Sequence, residues 1–138
     1  MKKHILLIIS AVVMAVSQTR ADYTIYPVPH SMTMDTGSCT LTETVNIRCD
    51  ATIDAATLQR ARGVLETAGL AVTNDDDERE GVTQLLLSTY ASTGKVADAI
   101  AGCFAPELTR MMKDEKYDRH VLMAGDKGIA IVGEHTNA

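Results

Sequence analysis

Val82-Thr83-Gln84-Leu85-Leu86-Leu87-Ser88-Thr89-Tyr90 is the stretch on which the fold turns. Three leucines in succession do not alternate with polar residues, so neither side of this segment is destined for water; the pattern is that of a strand covered on both faces in the middle of a sheet. Ser92-Thr93-Gly94 ends it.

Toward the N-terminus, Asn74-Asp75-Asp76-Asp77-Glu78 invites a calcium reading, because hard cations take clustered carboxylates. An EF-hand loop starting at Asp75 would need glycine at its sixth position and glutamate at its twelfth; Glu80 and Leu86 stand there. A solvated loop explains the run. Before it, Leu70 to Thr73 is a short strand. Gly69 supplies a left-handed C-terminal cap for a helix over Ala55 to Ala68, with Asp54 as its N-cap. Leu58, Ala61, Leu65 and Ala68 share one face of that helix, and Gln59, Arg60, Arg62 and Glu66 take the wet side. Gly63 marks a close contact with a neighbouring element. Earlier still, Leu41, Val45 and Ile47 define a strand within 40–48. Met32 and Met34 alternate with polar neighbours in a half-buried strand over 31–35, turned by Thr36-Gly37-Ser38. Tyr23 to Pro29 is an extended lead-in, because Pro27 and Pro29 restrict the residues before them.

Toward the C-terminus, Val96, Ile100, Cys103 and Phe104 are spaced for a helix that Pro106 interrupts, with Leu108, Met111 and Met112 extending it by a short turn or two. His120 to Ala124, a turn at Gly125-Asp126-Lys127-Gly128, and Ile129 to Gly133 form a hairpin. The order is strand, strand, helix, strand, strand, helical segment, hairpin. It predicts an α+β, two-layer sandwich, a mostly antiparallel or mixed sheet with helices on one face.

Composition narrows the function. At 138 residues and 46% hydrophobic content the chain makes one globular domain. With no tryptophan, Phe104 alone and four tyrosines, it lacks the aromatic faces of a stacking platform for sugars or bases. Lys2, Lys3 and His4, then an apolar run from Ile5 to Val16 and small residues Thr19 and Ala21, predict a signal peptide over residues 1–21. That run is too short for a membrane anchor. Residues 22–138 then carry 10 basic against 18 acidic side chains once Lys2, Lys3 and Arg20 are removed, a balance that opposes binding to nucleic acid or anionic lipid. An exported chain can form disulfides. A Cys39–Cys49 bridge is open, as are the other two single pairings, and Cys103 beside Phe104 reads as a buried, inert thiol. No CxxC spacing occurs and His30, His120 and His135 are scattered, so no metal is expected, and no cofactor.

Nor is there a catalytic constellation. No serine sits in a nucleophile elbow, no glycine-rich loop matches a phosphate cradle, and HExxH is absent. Asp114-Glu115 and the acidic run at Asp75 fall in predicted loops, not on the rigid strand ends that paired glycosidase carboxylates require.

Two stretches resemble a known family. Ile25-Tyr26-Pro27-Val28-Pro29-His30-Ser31-Met32, followed by Gly37 and Val45-Asn46-Ile47, looks like the start of the small N-terminal domain of bacterial β-N-acetylhexosaminidases, both the family 84 O-GlcNAcase or hyaluronidase-like enzymes and the family 20 chitobiases. His120 to Ala124 and Gly128 to Gly133 are similar to that domain's last hairpin. The resemblance implies a non-catalytic α/β layer beside a (β/α)8 barrel that carries the paired acids. It departs at Arg119-His120, where the family has Gly-Tyr, and over 96–112. It also implies a last helix and the barrel beyond residue 138, so 22–138 is expected to be an accessory domain of a truncated or split product, its partner the barrel supplied elsewhere. The alternative is a stand-alone exported domain that binds a protein or associates with glycans. On the truncation reading, Val121, Met123, Ile129 and Ile131 form an exposed apolar patch unless the 96–112 segment covers them.

Overall fold

The computed structural model describes residues 32–33, 39–111 and 120–135, with the side chains of 105–111 left out. The chain divides into two compact units, 1–34 and 35–138. In the first, Met32 and Thr33 are described and lie outside any strand. The rest of the strand expected at 31–35, the lead-in at 23–29 and the signal peptide over 1–21 lie outside the described residues.

The second unit contains β1 (Thr44–Cys49), α1 (Ala55–Thr67), β2 (Ala71–Thr73), β3 (Thr83–Thr89), α2 (Lys95–Met111), β4 (His120–Gly125) and β5 (Gly128–Gly133). One five-stranded sheet has the order β2-β1-β3-β5-β4. β2, β1, β3 and β5 run parallel, and β4 returns antiparallel to β5. The leucine run is β3, central in the sheet and buried along its whole length. The expected α+β sandwich is present, and its sheet is mixed.

The two helices lie on opposite faces, where the sequence reading expected one. Leu85 and Leu87 point with Val45 and Ile47 toward Leu58, Ala61 and Leu65 of α1. Leu86 points the other way, into a cluster with Val96, Ile100 and Phe104 of α2 and with Val121, Met123, Ala130 and Val132. Chirality explains the split. The crossover from β1 to β2 moves one way along the sheet and that from β3 to β5 moves the other, so right-handed connections place their helices on opposite sides.

Local chemistry sets the ends of α1. Asp54 accepts a hydrogen bond from the Thr57 amide at 2.7 Å. At the other end, Gly69 takes φ +83°, the Gly69 amide donates to the Glu66 carbonyl at 3.0 Å, and the Leu70 amide donates to the Leu65 carbonyl at 3.1 Å, a Schellman cap. α2 breaks at Phe104, whose backbone leaves helical space at φ −132°, ψ 21°. Pro106 has no amide hydrogen to donate to the carbonyl four residues earlier, and proline in a helix interior breaks or kinks the helix, which is why α2 gives way there. The Phe104 ring packs over Gly125, while Cys103 is exposed, not buried as expected. A Cβ added at Gly63 would meet nothing within 4 Å, so this glycine marks no close contact with a neighbouring element.

α2 covers only the β3-β5-β4 part of its face. The β1 part of that face is polar and lies under the loop after β2. Asn46, fully buried, donates from Nδ2 toward the carbonyls of Asp75 and Asp77 and toward Gln84 Oε1, each at 3.2 Å. Its Oδ1 accepts from Thr73 Oγ1 at 3.0 Å and from the Asp75 amide at 2.9 Å. Arg48 Nε donates to the Asp76 carbonyl at 3.0 Å, and Gln84 Nε2 donates to the carbonyls of Arg79 and Val82. The acidic run is solvated, as expected, but its backbone is pinned from below.

Candidate functional site

An apolar groove of about 530 Å³ lies between α1 and the β4–β5 hairpin. α1 leans on the sheet through half-buried Leu58, Ala61 and Leu65 and buries no residue fully. It packs against β2 and β1, at one side of the sheet. Ile129 and Ile131 of β5 and Leu122 of β4 line the other wall of the groove, with Leu41 also on the lining.

Among the described residues of 35–138, the large apolar side chains that are exposed all border this groove: Val64 at 70%, Leu122 at 64%, Leu41 at 47% and Ile131 at 37%. Scattered exposed apolar residues are ordinary; here they converge on one face. A width argument agrees. A helix is about 10 Å across and strands are spaced about 4.8 Å apart, so one helix shields roughly two strands. α1 alone therefore leaves the β5–β4 half of its face bare. The lining is chemically simple. Thr57 and Arg60 are its polar members, and among the described residues Arg60 has no ion pair.

This geometry divides the expected patch, part of it covered by the 96–112 segment and part not. Val121 and Met123 are buried under α2, whereas Ile129 and Ile131 belong to the α1 side. The hairpin register pairs Leu122 with Ile131 and Val121 with Val132, so the apolar residues divide between two faces. Val64 and Leu122 were missed in the sequence. Leu122 carried a signal, since an apolar residue at every position from Val121 to Ala124 leaves no polar face; Val64 stood among charged residues on the side of α1 read as wet.

A smaller concavity of about 140 Å³ lies at the carboxyl end of β3, lined in part by Ser88, Thr89 and Ser92. Its polar groups tie loops together. Ser88 Oγ donates to Asp50 Oδ2 at 2.5 Å, and Thr89 Oγ1 donates to Thr52 Oγ1 at 3.2 Å, joining the loop after β1 to the end of β3.

All three cysteines are free. The Cys39 thiol faces the Gly128 carbonyl at 3.9 Å, at the start of β5. Cys49 ends β1, two strands away and three residues further along the register, roughly 10 Å across the sheet and 10 Å along it. A disulfide requires Cα atoms within about 7 Å, so this arrangement does not bridge them. Burial, reinforced by the charges of Asp50 and Asp76, pushes the Cys49 thiol above its ordinary pKa. His120 and His135 are exposed. Among the described residues no group of three or more histidines, cysteines or acids stands together as a metal site, and no helix is long and apolar enough to cross a membrane.

The fold and this face define a small α+β domain whose most distinctive surface is an apolar groove, the kind of surface that packs against another protein element. Residues 22–138 match the family model for glycosyl hydrolase family 20, domain 2, and the chain belongs to that family. Comparison with curated proteins finds no match. Among solved structures the chain is similar to the protein described as "Structure of CpGH84D", with 28% identity and a TM-score of 0.71. The match covers 85% of this chain and 19% of that one. The chain therefore spans about a fifth of the relative it matches. The domain type is an N-terminal-type accessory domain of glycoside hydrolases.

Proposed function

We propose that residues 22–138 act as the non-catalytic buttress of a β-N-acetylhexosaminidase-type glycoside hydrolase, on which a (β/α)8 barrel supplied elsewhere is seated. The family match over 22–138 carries this reading. The bare half of the α1 face supports it: an apolar helix or surface of the catalytic part would fill the groove, and a carboxylate on it would meet Arg60. Export follows from the basic start and apolar run of 1–21, with cleavage after Ala21.

The test has two parts. The coding region that adjoins this chain is read for a barrel; the catalytic part is then produced separately and titrated with the chain and with Val64→Glu and Leu122→Glu. Binding that weakens at least tenfold in both variants supports the reading. Equal binding of all three moves the contact to another face, and the absence of an encoded barrel removes the buttress role. Alone, the chain is expected to leave a chromogenic N-acetylglucosaminide intact; hydrolysis by the purified chain would replace this reading with an enzymatic one. N-terminal sequencing of the exported protein is expected to begin at Asp22.

The groove also favours a second reading, a stand-alone exported interaction domain that uses the same face for a different protein. An unrelated adjoining gene, together with a partner that competes with a hydrophobic dye for the groove, distinguishes it from the first.

A further inference from the structure

We draw no further inference here: the strongest candidate, the apolar groove between α1 and the β4–β5 hairpin, belongs to the docking role already proposed for this face, and nothing else in the structure shows what covers it.

Discussion

Replacing Asn46 by alanine should cost more stability than any change to the acidic loop it holds. The side chain is fully buried, and its amide nitrogen has two hydrogens to share among three acceptors at 3.2 Å. Its oxygen accepts two further bonds, at 3.0 and 2.9 Å. Four bonds therefore operate at once, each worth about 1 kcal/mol net. Some of the orphaned partners lie in the loop and regain water, which offsets part of the loss, so Asn46→Ala should destabilise by about 2–4 kcal/mol. Equilibrium urea unfolding would show this as a midpoint lowered by roughly 1–2 M at ordinary denaturant slopes. Hydrogen exchange at the Asp75 amide should accelerate in step. Asp76→Asn is the control: Asp76 is held through its carbonyl and its side chain is exposed, so the change should stay within about 0.5 kcal/mol. A loss below about 1 kcal/mol for Asn46→Ala, or an unchanged Asp75 amide, would show that the loop does not depend on this side chain.

Other outcomes follow from single features. Gly128 has φ +125°, and a Cβ there would collide with the Gln84 carbonyl oxygen, so Gly128→Ala should cost about 3 kcal/mol or more by thermal unfolding; a near-neutral effect would mean that β5 can shift away from β3. Asp54→Ala removes the cap on the Thr57 amide and should cost about 1 kcal/mol, whereas Asp54→Ser should recover most of it. Iodoacetamide at mildly alkaline pH should label exposed Cys103 well before Cys49, whose thiol burial holds in the protonated form; mass mapping that finds Cys49 first refutes this order. The same shift gives a pH dependence. The unfolded chain releases the Cys49 proton at a lower pH than the folded one, so this contribution to stability is constant below about pH 8.5 and declines as pH rises toward the folded value; Cys49→Ala should flatten that decline.

Much of the secondary structure was legible because it depends on neighbours in the chain. The unbroken leucines specified a central strand, Asp54 and Gly69 bracketed α1, and the glycines at 125 and 128 framed the hairpin. Leu41 was read into the strand within 40–48 yet lies before β1, since the ladder with β3 begins at Val45, while Thr42 instead exchanges hydrogen bonds with Thr83. The candidate site was only half visible. Ile129 and Ile131 were named as exposed sheet residues, but Val64 and Leu122, the most exposed members, were not.

By itself the sequence determined where segments begin and end and which residues avoid water, because capping, glycine conformation and side-chain period act over a few residues. The tertiary structure decided the rest. Opposite crossover directions about β1 and β3 put the helices on two faces, and strand order separated Cys39 from Cys49. Asn46 became a buried anchor only when the loop after β2 folded across β1. The apolar groove exists for the same reason: α1 reaches one side of a sheet five strands wide, and no local pattern records which strands a helix leaves uncovered.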